Sequence, residues 1–344
     1  MPDLSAVHIA KALADVSLAF WNDPSKYCVG RVCGTRRVRE SSNKFYQYGR
    51  DFASNRETKG VDARALLNLR RPGTEAVEVD FSLSSNSYNT NKYSYRDLVT
   101  DDEIGQAGSP LAPLTDTAMS LMNRLRNDQE YILARLIANG ALYNASFKTT
   151  LTTGGSGTSW KSYASANSDP LGNLRDAREA VKKTIQRPAN TLLLSGQAAA
   201  MLADHPAIRD IVKYTNPEWL TGNGLPKKLR DLNVVVADAI ANTAAEGASY
   251  SGDYLFLDQN GKACAIVCYV PEGGVIGPRE VASFLCFDKK SDSTGGYGIS
   301  SRAYRDEKRA GWLVEATLEF DIQYGAVDGS SLINGAYIYQ DVCS

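Results

Sequence analysis

Histidine is nearly absent from this chain: His8 and His205 are the only two in 344 residues. General acid–base catalysis usually draws on histidine or a perturbed carboxylate, so the scarcity removes the commonest catalytic designs. His205 precedes Pro206 and reads as a helix cap or turn residue. There is no Gly-x-Ser-x-Gly elbow and no His-Glu-x-x-His pair. Gly154-Gly155-Ser156-Gly157 lacks the Lys-Ser/Thr that would make it a phosphate loop, so it reads as a linker. The expectation is a chain that is not an enzyme, with no catalytic residue, no cofactor and no metal ligand.

Other absences narrow the class further. Thirty-eight Lys and Arg nearly cancel 39 Asp and Glu. A protein gripping nucleic acid by counterion release needs a basic surplus, so contact with nucleic acid is expected to be local and non-specific. No apolar run approaches the roughly 20 residues that span a bilayer, and residues 1–20 lack the basic start and apolar core of a signal peptide. Folding in a cytoplasm, away from membranes, is expected. The six cysteines are scattered, which argues against a disulfide framework. Cys264 and Cys268, an even separation apart, should share one strand face as small apolar side chains.

What the sequence does contain is a long continuous assembly of parts. Residues 1–29 read as an arm carrying a short amphipathic helix, stopped at Trp21-Asn22-Asp23-Pro24. Tyr27 to Tyr48 alternates loosely. Arg50 to Gly73 is charged and reads as a projecting excursion, and Ala76 to Leu83 alternates strictly, as a returning half-buried strand does. A long hairpin is the economical description. Asp101-Asp102-Glu103 reads as a solvated acidic turn rather than an ion site. A helix from Asp116 to Tyr143, capped by Thr115 or Asp116, would run about 42 Å at 1.5 Å per residue. Its apolar stripe is Ala118, Met122, Leu125, Ile132, Leu133, Leu136 and Ile137.

Thr152 to Ser168 reads as a flexible loop, and Asn173 to Gln186 as a second helix. Strands at Asn190–Ser195 and Asn233–Val236, with a helix from Gly196, announce an α/β block. Tyr254–Leu257 and Ala263–Val270 read as a hairpin bent at Asn260-Gly261. A long strand at Gly311–Ile322 and a short one at Gly335–Tyr339 close the chain.

The basic residues Arg36, Arg37, Arg39, Lys44, Arg50, Arg56, Lys59, Arg64, Arg70 and Arg71 are the candidate contact set. Placed on the excursion, they would meet acidic surfaces of a neighbouring subunit.

The order of these parts resembles the major capsid proteins of tailed bacteriophages, with the Hong Kong 97-type fold. The carriers are Lys44-Phe45-Tyr46-Gln47-Tyr48 before the excursion, the Tyr93-to-Glu103 lead into the long helix, and Glu130 in its middle. They continue with His205-Pro206-Ala207-Ile208 through Lys213-Tyr214, then Leu229 to Val236. The resemblance implies an α+β fold: an N-terminal arm (1–29), an extended E-loop hairpin (30–95), and a P domain with a spine helix (96–189). It also implies an α/β A domain (190–311) and C-terminal strands returning to the P domain (312–344). It further implies pentamers and hexamers closing an icosahedral shell around double-stranded DNA, in a virion assembled in the host cytoplasm. A separate scaffolding protein is expected because the arm begins at Met1, unless a longer precursor is trimmed. A portal and decoration proteins are further implied partners. Lys59 lies in the excursion, but no cross-linking partner is identified. An encapsulin-type compartment shares the fold and is the alternative.

Overall fold

The computed structural model describes residues 26–48, 72–73, 75, 83–107, 111–153, 156–214, 224–245, 247–274, 276, 280–291, 297–327 and 331–343. The expected arm helix, most of the returning strand at 76–83 and the centre of the excursion lie outside these residues. The chain divides into two units, Glu40–Asn89 and the remainder.

The smaller unit is an antiparallel hairpin. Strand β2 (Ser42–Tyr48) pairs with β3 (Leu83–Asn89), from Ser42 opposite Asn89 to Tyr48 opposite Leu83. Phe45 and Tyr88 share one face and are buried, whereas Lys44 and Tyr46 point the other way and are exposed.

Among the described residues the larger unit opens with a four-residue helix, α1 (Val29–Val32), and strand β1 (Gly34–Val38). Strand β4 (Asn91–Thr100) leads into a short helix, α2 (Asp101–Gln106). The acidic run is therefore a helix start and not a turn. Thr100 Oγ1 accepts the Glu103 N–H while the Glu103 carboxylate accepts the Thr100 N–H, a reciprocal capping box. Acids in a first turn also suit the helix dipole.

The spine helix, α3, is Pro113–Ile137, about 37 Å long at 1.5 Å per residue. It starts earlier and stops sooner than its sequence pattern indicates. Pro113 takes the first helical position, where its missing N–H is harmless. Asp116 instead reaches back to accept the Ala112 N–H. Beyond Ile137 the chain breaks into short 3₁₀ turns, with Asn139 and Asn144 capping them. The Tyr143 hydroxyl then donates to the Ile137 carbonyl, closing the helix end.

Five strands form the first sheet. In the long strand β14 (Gly311–Tyr324), Val314, Ala316, Leu318, Phe320 and Ile322 point into a core shared with α3. β4 runs antiparallel along β14 over ten residue pairs. β13 (Ser300–Asp306) and β12 (Phe284–Lys289) also pair with β14, and β1 lies parallel to β12.

The second sheet has six strands, in the order β5 (Lys148–Thr150), β15 (Ala336–Gln340), β11 (Ala265–Cys268), β6 (Thr191–Ser195), β8 (Leu232–Ala237) and β7 (Lys228–Leu229). Cys264, Ile266 and Cys268 enter the core shared with α3, whereas Ala263, Ala265 and Val267 enter a second core. There they meet α4 (Pro170–Ile185) and α5 (Gly196–Asp204). All six cysteines are free, five of them buried, and burial raises their thiol pKa values.

Two expectations fail here. The hairpin at 254–270 does not form: β10 (Gly252–Tyr254) pairs with β9 (Ile240–Asn242), and β11 lies between β15 and β6. The Asn260-Gly261 bend is real, but Asp258 holds it, accepting the Asn260 and Lys262 N–H groups. A wholly buried strand finds more apolar contact at the sheet centre than at the end of a ribbon. The Gly/Ser/Thr-rich 152–168 stretch is anchored rather than loose: Trp160 is fully buried, and the Ser159 and Ser168 hydroxyls are hydrogen-bonded inside. Strand pairing links residues on both sides of 311/312, since β12 and β13 pair with β14, while β15 pairs with β5 and β11.

Candidate assembly site

Residues 26–31 connect the spine helix to the second sheet. The Tyr27 hydroxyl lies 2.7 Å from Asn123 Oδ1 and 2.6 Å from Asn127 Oδ1. The single phenolic proton serves one of them at a time. Four residues after Asn123 comes Asn127, and three later Glu130, so all three share one helix face. Glu130 is fully buried, and its carboxylate accepts the N–H groups of Cys28 and Val29 and the Cys28 thiol. Burial pushes the Glu130 carboxyl above the usual range, with these donors and Arg31 pulling the other way. On the opposite side, Lys26 Nζ sits 2.8 Å from Asp238 Oδ2, and Arg31 donates to the Val236 carbonyl. Val236 is in β8 and Asp238 follows it directly.

A cavity of about 420 Å³ opens beside this segment, between α3 and β12. Tyr27, Met122, Glu130, Asp288 and Leu318 are among its walls. Asp288 is raised by burial, opposed by the Gly298 N–H and by Arg37.

The structure separates the candidate contact residues. Arg36 and Arg37 are on β1, opposite Phe287 and Asp288 of β12. They belong to the first sheet and not to the excursion where the sequence pattern put them. Among the described residues β1 is the last strand of its sheet, with Gly274 and Ile276 bonded to Thr35 beyond it, and an edge strand tolerates charge. The Arg37 guanidinium lies 5.2 Å from the Tyr297 ring centroid. Arg39 is exposed just past β1, and Lys44 is exposed on the hairpin. Arg50, Arg56, Lys59, Arg64, Arg70 and Arg71 lie outside the described residues.

Other charges are taken up within the larger unit. Arg305 grips Asp101 through both guanidinium arms, at 3.2 and 2.8 Å. Arg302 pairs with Glu315, and Lys289 with Glu319. The Arg305–Asp101 and Lys289–Glu319 pairs join elements distant in the chain and left no sign in the sequence, whereas Arg302 and Glu315 are cross-strand neighbours on the consecutive strands β13 and β14.

His205 is a cap, as its position before proline suggests. Its Nδ1 accepts the Ala207 N–H, so the ring proton sits on Nε2, facing Ser168 Oγ at 3.3 Å. Burial lowers its pKa, opposed by Ser168 and Asp169. Among the described residues no group of His, Cys, Asp and Glu is arranged to hold a metal ion, and no helix is long and apolar enough to cross a membrane.

No protein-family model matches the chain. One curated relative, the major capsid protein of Burkholderia phage BcepMu, is 31% identical over 78 residues. That match spans 23% of this chain and a quarter of the relative's length. A phage-related protein from Bordetella bronchiseptica superposes with a TM-score of 0.62 at 19% identity, covering 93% of this chain and 94% of its own. The capsid protein of cyanophage P-SCSP1u gives 0.59 at 11% identity, over 94% and 90%. The SrpI encapsulin of Synechococcus elongatus gives 0.58 at 13% identity, over 100% and 97%. The α+β chain has the Hong Kong 97-type fold, which it shares with these phage capsid and encapsulin subunits.

Proposed function

We propose that this chain is a shell subunit, the major capsid protein of a tailed bacteriophage. Copies assemble as pentamers and hexamers into an icosahedral shell around double-stranded DNA. The supporting observation is end-to-end likeness of fold to a phage capsid subunit, joined to a local sequence match with a phage major capsid protein. The shell has no catalytic task; each subunit contributes modest contacts that gain strength by repetition.

In this reading the arm (1–29) and the E-loop (30–95) are the reaching parts. The P domain (96–189 with 312–344) and A domain (190–311) form the tile. The basic residues from Arg36 to Arg71 meet acidic surfaces of the next subunit. Assembly takes place in the host cytoplasm, with a separate scaffolding protein, a portal and decoration proteins as partners. DNA is contacted without sequence preference.

The likeness to an encapsulin favours a second reading, a protein compartment. Expression of the chain with and without its scaffold, followed by electron microscopy and analysis of particle contents, separates the two. Closed particles holding DNA support the capsid reading, and closed particles holding a protein cargo support the compartment. A stable monomer that never closes into a particle overturns both.

A further inference from the structure

Hydrophobic contact between the spine helix and the second sheet is extensive: Ile137, Tyr143, Leu193, Val235 and Ile338 share one core. Such packing is non-directional. Elements packed in this way can still slide by small shear steps. The cavity flanking α3 lies on its first-sheet side, between α3 and β12, and leaves the helix incompletely packed there. The directional bonds at this end come from residues 26–31. Tyr27, Cys28 and Val29 bind the helix, and Lys26 and Arg31 bind the end of β8.

From this geometry we infer that residues 26–31 are a strap setting the angle between the spine helix and the six-stranded sheet, and through it the curvature of the assembled shell. The inference deepens the shell reading and rests on it for its second half only. The strap's weak point is its Lys26–Asp238 tie, a partly exposed ion pair that changes in the solvent can loosen. Charged groups facing it include Arg31 on the strap itself. On the helix side the buried Glu130 is already occupied by backbone donors.

The test uses the dissociated full-length subunit and its particles in parallel. Cys343→Ser removes the one half-buried thiol. Arg124→Cys and Asn233→Cys then place spin labels on α3 and β8. Lys26→Ala or Asp238→Ala should about double the width of the label-to-label distance distribution and shift the particle-diameter distribution. The exchanged pair, Lys26→Asp with Asp238→Lys, should restore both. The melting temperature of the subunit should move little, because exposed ion pairs add little stability. An unchanged distance distribution overturns the strap. A widened distribution with unchanged particle diameters overturns the link to curvature. If the wild-type chain forms no closed particle, the shell reading fails, and the distance measurement still decides the strap.

Discussion

Glu130, in the middle of the spine helix, accepts the backbone N–H of Cys28 across 102 residues of sequence. The same carboxylate takes the Val29 N–H and the Cys28 thiol. One acid on an apolar face thus satisfies the start of a short helix that has no side-chain cap of its own.

Replacing Glu130 by Leu should be costly. It leaves two buried N–H groups without an acceptor, at about 1–3 kcal/mol each. Glu130→Gln keeps one acceptor oxygen and should lose less. Urea unfolding of the dissociated subunit checks the order: wild type, then Gln, then Leu. Equal stability of all three would mean the contact is dispensable.

The same group predicts a pH dependence. Burial raises the folded pKa of Glu130 above its unfolded value. Between the two values the folded state holds more protons, so stability falls as pH rises. The favourable contribution is complete below the ordinary glutamate range and is lost as pH climbs through the folded value. Glu130→Gln cannot titrate and should remove this part of the slope. Unfolding free energies of both proteins from pH 4 upward, roughly one pH unit apart, would show it.

How far this was legible in the sequence depends on what decides each element. The spine helix and β14 were readable because periodicity follows burial on one body, and β6 and β8 because a short apolar run marks a buried strand. The cap at His205 was readable from the proline after it. β1 was not, because Arg36 and Arg37 look like solvated charge until their strand is seen beside β12. The place of β11 was hidden for the opposite reason: a wholly buried strand has no alternation to show which neighbours it takes. Asn123, Asn127 and Glu130 at i, i+4 and i+7 carried the one signal of the strap. A polar row within an amphipathic helix reads as solvent face unless its partner is known.

A backbone prediction concerns the turn from β7 to β8. Leu229 pairs with Leu232, leaving Arg230 and Asp231 as a two-residue loop. Both have positive φ, 52° and 63°. That is the type I′ geometry, which favours Asn-Gly. Arg230→Asn should raise stability by about 0.5–1 kcal/mol, since Asn enters this region more readily. Asp231→Gly relieves the backbone too, but it removes the 3.0 Å ion pair with Arg178 and should be nearer neutral. Thermal melts of the two variants would distinguish them; a destabilised Arg230→Asn would contradict the turn assignment.

Charge on the edge strand gives the last prediction. Arg36 and Arg37 are neighbours on β1, yet they differ in surroundings. Arg37 lies over Tyr297 and beside Asp288, so reversing its charge sets two acids together and should weaken the subunit itself. Arg36 faces the other side of the strand, opposite Phe287, and is exposed. Arg36→Glu should therefore leave the subunit's melting temperature nearly unchanged, as surface substitutions usually do. If Arg36 meets an acidic surface of a second copy, the same change should slow association and lower the particle yield. The wild-type rate should fall with added salt, and the variant should lose most of that dependence. Light scattering of assembly at two ionic strengths measures both effects. An Arg36→Glu chain that assembles at the wild-type rate, with the wild-type salt response, would remove this residue from the contact surface.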